Sequence, residues 1–344
     1  MQQPAGVIGS GKFGTTIARL LSLNGPVIWY IRKEEAAKKI AEERTHLGYH
    51  IPENITITND LIHLTTSCQV LIPVVPSQYF RVTIQQINPY LTPAHIIIHG
   101  TKGLDTSPLS DEEIMTRRIS RQDVHTMSEI ITQETVVRRI GCLSGPNLAV
   151  EILEQQPTAT VIASEFDEVI QIGEKWLNSR IFYVFGSYDL IGAEIAGSLK
   201  NIIAIGSGVL MGKGYGRNIQ AMLITRGLRE MISFGKAMGA QPASFLGTSG
   251  LGDLIATATS PLSRNYSLGQ RLAEGESLSE ILETSKETAE GVRTLRIAQQ
   301  LAKFYKIHVP ITETLYKVVF EEQDIDKSLE YLMRYPYTKD VDFV

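Results

Sequence analysis

A lysine stands where a small-residue, apolar helix face should continue: Lys200, in the run LIGAEIAGSLKNIIAIGS at 190–207. On a helix its neighbours three and four residues away are Ala196, Gly197, Ile203 and Ala204, and none is an acid. An amine held against such side chains loses hydration, which disfavours the ammonium and moves it toward the neutral range useful for proton transfer. Lys200 is therefore the first candidate for a catalytic acid or base. The alternative is an aliphatic stem lying on the apolar face with its amine in solvent. Three other stretches carry comparable groups. Lys102 sits in the loop Thr101-Lys102-Gly103, and Asp253 lies between glycines and apolar residues in GTSGLGDL. In SPLSRNYSLG, Arg264 offers a fork of donors that matches phosphate oxygens, with Ser263 and Asn265 as uncharged donors beside it.

The chain opens on a second kind of chemistry. Residues 5–8 form a short apolar run that leads into Gly9-Ser10-Gly11-Lys12-Phe13-Gly14, and 15–23 then has helical spacing. In this strand, turn and helix the first glycine permits the tight turn, the second lets a pyrophosphate approach the backbone, and the third lets helix and strand pack closely. Amides at the helix start then face the phosphates. This context favours dinucleotide binding over a purely structural turn. After the next strand, VIWYI, a carboxylate would ordinarily hold the adenosine ribose, but Arg32 and Lys33 stand there. Cations suit the 2′-phosphate of NADPH, while Glu34 and Glu35 keep NADH open. The plain alternative is two solvated charges at a strand end.

These groups need a scaffold, and the sequence supplies one. Apolar strands at 70–75 and 96–98 end in loops bearing Pro76-Ser77 and Lys102, at the carboxyl ends where open α/β sheets bind ligands. Residues 105–139 read as a crossover helix with an exposed excursion. The stretch from Arg139 gives a strand, a Ser-Gly-Pro loop, a short helix and another strand; Gly145 and Asn147 line a site there, or Asn147 caps the helix. A helix at 166–178 and the strand IFYVFGS close this region. From 188 onward strand and helix no longer alternate and the pattern is helical. The expected fold is α/β plus all-α: a Rossmann-type doubly wound parallel sheet over 1–187 and a helical domain over 188–344.

Composition bounds the remaining possibilities. The 344 residues exceed one ordinary core. A net charge of −4 and pI near 6.0 give no general attraction to nucleic acid or anionic membrane. Cys68 and Cys142 match no metal spacing and make no disulfide framework. The N-terminus has no secretory pattern, and no charge-free apolar run reaches the ~18 residues of a membrane span. A cytoplasmic protein without metal, nucleic acid or membrane span is expected.

The stretches GSGKFGTTIA, VPSQ, TKGL, LSGPNLAVE, GSLKNIIAIGSG, NIQAMLITRGLREM, GLGDLIATATSPLSRN and AEGVRT, in this order, resemble the bacterial-type NAD(P)-dependent glycerol-3-phosphate dehydrogenases. The likeness spans about 8–294 and continues more loosely to 320. It implies reversible hydride transfer between dihydroxyacetone phosphate and sn-glycerol 3-phosphate, feeding phospholipid synthesis, with NADPH or NADH as cofactor. It also implies a second domain of the 6-phosphogluconate dehydrogenase-like kind, and a homodimer. By this resemblance Lys200 is the proton acceptor and donor, Lys102 contacts both substrate and cofactor, and Asp253 orients or tunes Lys200. Gly145, Asn147, Asp253, Ser263, Arg264 and Asn265 fall at substrate positions. Ser10, Phe13, Arg32, Lys102, Ala149, Arg264, Thr288 and Glu290 fall at cofactor positions, beside Gly9, Gly11, Gly14 and Lys33. The sequence departs from the family's usual pattern at Asn147, where serine or threonine is commoner, at GTSGLGD, at Lys12-Phe13 in place of serine-tryptophan, and in the long segment before LSGPN. Asn147 keeps a donor and an acceptor, so adjusted geometry is expected there. Two competing readings stand: a hydroxy-acid or sugar-acid dehydrogenase, which would need a carboxylate anchor and has no need of Ser263-Arg264-Asn265, and a redox sensor, which needs the glycine turn but not Lys200, Lys102 and Asp253 together.

Overall fold

The computed structural model describes residues 2–285 and 289–335. They form two compact units. One holds Thr126–Leu190 together with the chain up to Asp105; the other holds Thr106–His125 together with the chain from Ile191 onward.

In the first unit, short β-branched and apolar runs become strands because both faces of each are covered, so apolar residues need not alternate with polar ones. The strands of its main sheet are β1 (Ala5–Ile8), β2 (Val27–Tyr30), β3 (Ile55–Thr58), β4 (Val70–Pro73), β5 (Ile96–His99), β6 (Arg139–Ser144), β7 (Thr158–Ala163) and β8 (Phe182–Ser187). They lie in the order β8-β7-β6-β5-β4-β1-β2-β3. Successive side chains point to opposite faces, so Val7, Trp29, Ile72 and Ile98 build one core and Ile8, Leu71 and Ile97 the other, where Phe80 of helix Ser77–Ile87 joins them. Helix α1 (Lys12–Ser22) leads from β1 to β2 on one side, while β4 pairs with β1 on the other. The winding therefore reverses at β1, and the glycine turn sits at that switch point.

Six strands run parallel, but β7 runs antiparallel to β6, and β8 follows β7. The sheet is thus predominantly parallel, as the doubly wound reading expects, with one antiparallel step between β6 and β7. The helix between β6 and β7, Ala149–Leu153, has five residues. At about 1.5 Å per residue it is too short to carry the chain back along a six-residue strand of roughly 20 Å, so the chain turns and returns directly. Helix Met127–Glu134 covers the sheet before β6. The polar stretch ahead of it, Thr106–His125, groups with the helical unit, where its helix Asp111–Thr116 packs on Glu290–Tyr305.

The second unit is built around α2 (Leu190–Gly212), which is buried from Gly192 to Leu210. By length and composition this helix could cross a membrane, but 89% of its apolar window is buried inside the protein, as in a core helix. Around it lie α3 (Arg217–Met238), α4 (Asp253–Ala258), α5 (Arg264–Ala273), α6 (Glu290–Tyr305) and α7 (Pro310–Phe320). Contact between α2 and α5 is reciprocal and needs glycine on both sides. A Cβ at Gly208 would lie 1.9 Å from the Tyr266 carbonyl oxygen, and one at Gly269 would lie 2.0 Å from that of Ile205.

Helix α7 starts at Pro310 after Val309, which has no side chain able to cap it. The cap comes from Glu230 on α3, whose carboxylate accepts from Ile311 N at 2.6 Å, Thr312 N at 3.0 Å and Thr312 Oγ1 at 2.7 Å. Burial pushes the Glu230 carboxyl up to about 7, against these hydrogen bonds, which pull it down. The folded protein thus holds this proton more tightly than the unfolded chain. The resulting stability, up to about 3 kcal/mol, is present below the ordinary carboxylate range and is lost as pH rises through 7. Urea unfolding at several pH values should show wild type losing stability relative to Glu230→Gln between about pH 5 and pH 8; parallel curves for the two would contradict this.

Candidate active site

The glycine turn is fixed from behind by two rings. Trp29 Nε1 on β2 donates to the Gly9 carbonyl at 2.8 Å. His46, edge-on to Trp29 with centroids 5.5 Å apart, bonds through Nε2 to the Ser10 carbonyl at 3.0 Å. Gly9 has φ +133, and a Cβ on Gly14 would lie 2.0 Å from the Gly9 oxygen, so both positions require glycine for the fold itself. Gly11 differs: it has ordinary dihedrals, and a Cβ there would meet no atom within 4 Å. It caps α1 without a side-chain acceptor, and the first turn of α1 has no acid. Neither a side chain of that turn nor an atom close to Gly11 thus opposes an anion at the start of α1. Phe13 packs toward Gly100 at the end of β5.

At the end of β2, Arg32 and Lys33 are exposed, and the Arg32 guanidinium lies 6.0 Å from the centre of the Tyr79 ring. Glu34 is paired with Lys38 at 2.7 Å, so this neighbouring acid is already engaged.

The loops after β5 and β6 meet. Lys102 Nζ donates to the Gly145 carbonyl at 3.2 Å, and Gly145 has φ +154. Asn147 Nδ2 donates to Thr160 Oγ1 at 2.8 Å, whereas its buried Oδ1 accepts no hydrogen bond among the described residues. It does not cap the following helix, whose N-cap is Leu148. Ala149 opens that helix, and its carbonyl accepts from Thr16 Oγ1 on α1 at 3.4 Å.

In the second unit Lys200 is 6% exposed, so its amine does not reach bulk solvent. Nor is it without an acid. Lys200 Nζ donates to Asp253 Oδ1 at 2.5 Å and to Thr257 Oγ1 at 2.5 Å, and Thr257 Oγ1 donates to Asp253 Oδ1 at 3.3 Å. Asp253, on α4, supplies a counter-charge that the positions three and four residues from Lys200 on α2 do not, and an ion pair holds the amine as a donor. This replaces the picture of a desolvated, solitary base.

Ser263 caps α5, its Oγ accepting from Tyr266 N at 3.3 Å, and Arg264 is the exposed first residue of that helix. Asn265 bridges two helices: Nδ2 donates to Asn201 Oδ1 at 3.0 Å, and Oδ1 accepts from Gly291 N at 2.9 Å. Glu290 begins α6 directly before Gly291. Thr288 lies outside the described residues.

The candidates thus assemble as two groups in the first unit and one in the second. Five participants escaped sequence reasoning: Trp29, His46, Tyr79, Asn201 and Thr257. Thr257 was recoverable, since it stands four residues after Asp253 and so shares its helix face. The other four reveal themselves only through tertiary contact.

Models of the NAD-dependent glycerol-3-phosphate dehydrogenase N-terminus and C-terminus match residues 4–170 and 189–330. The chain is 39% identical over 342 residues to the glycerol-3-phosphate dehydrogenase (NAD(P)+) of Teredinibacter turnerae, covering 98% of this chain and 96% of that one. Against the Pseudomonas putida enzyme of the same name it is 38% identical, covering 100% and 97%. The glycerol-3-phosphate dehydrogenase structure from Coxiella burnetii superposes with a TM-score of 0.85 at 28% identity, covering 97% of this chain and 99% of that one. A ketopantoate reductase structure from Ralstonia eutropha, covering 95% and 99%, shares only the fold, with TM-score 0.55 at 14% identity.

A methyl group at position 11 would meet no protein atom but would enter the space in front of α1. Gly11→Ala should therefore leave the thermal midpoint within about a degree of wild type while weakening NADPH binding at least tenfold by fluorescence titration. A lowered midpoint with unchanged binding would show that the fold, not the ligand, requires this glycine.

Proposed function

Because this chain belongs to the NAD-dependent glycerol-3-phosphate dehydrogenase family, we propose that it interconverts dihydroxyacetone phosphate and sn-glycerol 3-phosphate, with NAD(P)H and NAD(P)+ as hydride donor and acceptor, and so supplies glycerol 3-phosphate for phospholipid synthesis. The observation that carries the chemistry is the buried Lys200 ammonium held between Asp253 and Thr257. When bound, the reduced nicotinamide supplies the hydride. As hydride reaches the ketone carbon the oxygen gains charge, and Lys200 Nζ stabilises that oxygen and gives it a proton. In the reverse direction the amine takes the proton back. Asp253 keeps the donor charged beforehand, and Thr257 fixes its direction.

The phosphate end falls to Arg264, which adds its donors at the N-terminus of α5, where partial positive charge already favours an anion. Ser263 accepts from Tyr266 N and keeps its own hydroxyl hydrogen to give. Asn265 uses one Nδ2 hydrogen on Asn201, leaving the other for the substrate. The buried Oδ1 of Asn147 suits a substrate hydroxyl. Lys102 adds positive potential beside Gly145 and reaches both ligands. The turn from Gly9 to Gly14, with Phe13 and Ala149, holds the dinucleotide, while Arg32 and Lys33 accommodate the NADPH 2′-phosphate without excluding NADH. Glu290, and Thr288 by resemblance alone, complete the cofactor set. A homodimer and a cytoplasmic location belong to this reading on family grounds.

Oxidation of NADPH with dihydroxyacetone phosphate, and separately with unphosphorylated dihydroxyacetone, tests it. Rapid turnover of the first and roughly a thousandfold lower kcat/KM for the second are expected, because remote phosphate binding supplies orientation at the reacting carbon. Arg264→Ala should raise KM for the phosphorylated ketone about tenfold to a hundredfold. Equal use of both ketones, or a KM untouched by Arg264→Ala, would overturn the phosphate assignment.

A further inference from the structure

Residues 101–105 carry Lys102 from the end of β5 to the point where the chain leaves for the second unit. Thr101, Gly103, Leu104 and Asp105 are buried and Lys102 is only partly so. Gly103 has φ +147, a conformation suited to glycine. Two polar anchors hold the segment. At one end Thr101 Oγ1 donates to the Val75 carbonyl at 2.7 Å. At the other, Asp105, 2% exposed, accepts from Arg81 Nε at 2.8 Å and lies 2.8 Å from Arg81 Nη2.

Arg81 belongs to helix Ser77–Ile87 and does more than face Asp105. Its Nη1 pairs with Glu134, the last residue of helix Met127–Glu134, and its Nη2 donates to Gln133 Oε1 at 3.2 Å. Gln85 Nε2 adds a bond to Glu134 Oε2 at 3.0 Å. One guanidinium therefore ties the residue at which the chain departs to the helix by which it returns from Thr106–His125. Both Arg81 and Asp105 lie outside every motif that carries the family resemblance.

We propose that Arg81 is a positioning residue: by holding Asp105 it sets where Lys102 presents its amine. This rests on the reading that Lys102 contacts substrate and cofactor. Arg81 does not itself touch the reacting atoms. Without the guanidinium, the buried Asp105 carboxylate loses the two contacts that Arg81 makes to it, and a position of the segment that hydrates the carboxylate is favoured. Lys102 is three residues away on the same short segment and turns with it. A displacement on the order of 1 Å in such a group lowers the rate about a hundredfold.

The test is a double-mutant cycle on kcat/KM for dihydroxyacetone phosphate, using wild type, Arg81→Met, Lys102→Met and the double variant, with thermal midpoints measured in parallel. Arg81→Met should lower kcat/KM about tenfold to a hundredfold in the native background but less than about twofold in the Lys102→Met background, where no amine remains to be misplaced. Arg81→Lys, which can still pair with Asp105, should restore most of the loss. An equal factor in both backgrounds, or no loss in the first, overturns the proposal while leaving the proposed activity standing. If Lys102→Met alone has full activity, the reading of Lys102 fails and the proposal falls with it. Should Arg81→Met not fold, Asp105→Asn enters the same cycle and the same pattern is expected.

Discussion

A buried ion pair governs the second unit. Removing an ammonium and a carboxylate from water costs several kcal/mol for each ion, and only close geometry with added hydrogen bonds offsets it. The pairing of Lys200 with Asp253 meets that condition through Thr257, which bonds both partners. It also demands that α2 and α4 keep a fixed separation. Ser207 on α2 donates to the carbonyl of Ala258, the last residue of α4, at 2.5 Å, and Gln220 on α3 donates to both. The two reciprocal glycine contacts hold α5 equally close to α2. With little room to shift, the helices present the ammonium, the Arg264 end of α5 and the Asn265 bridge as one rigid group.

At its glycine turn the first unit applies the same logic through ring nitrogens and not through an ion pair. Its glycine turn could relax if it were held only by backbone, but Trp29 and His46 take the carbonyls of Gly9 and Ser10 from behind. What remains facing outward is a row of amides at a helix start, and Gly11 leaves the space before them open. Rigidity around an open space is what a dinucleotide site requires, because the ligand then meets donors already aimed.

How legible this was depends on whether the signal is local. The apolar face around Lys200 and the spacing of Gly9, Gly11 and Gly14 are properties of short stretches, and the sequence alone identified both. The acid beside Lys200 is fifty-three residues distant, so periodicity on α2 suggests a solitary amine, and only the family resemblance named Asp253 as its partner. The reversal of β7 and β8 left no mark in strand composition, since an apolar run reads alike in either direction; it follows from the brevity of Ala149–Leu153. Thr106–His125 is polar whether it projects into solvent or joins another unit, and only its packing assigns it to the helical one. Nothing local to Glu230 marks it among the other charges of α3, because the α7 amides it caps lie some eighty residues on.

The central claim is that Lys200 moves the proton while leaving cofactor binding to other residues. The most direct measurement is single-turnover oxidation of NADPH by Lys200→Met with saturating dihydroxyacetone phosphate, beside a titration of NADPH binding to the same variant. A hydride-transfer rate lower by about a hundredfold to ten-thousandfold with near-native NADPH affinity is the predicted result. A near-normal rate would contradict the account and send the search for the proton donor elsewhere.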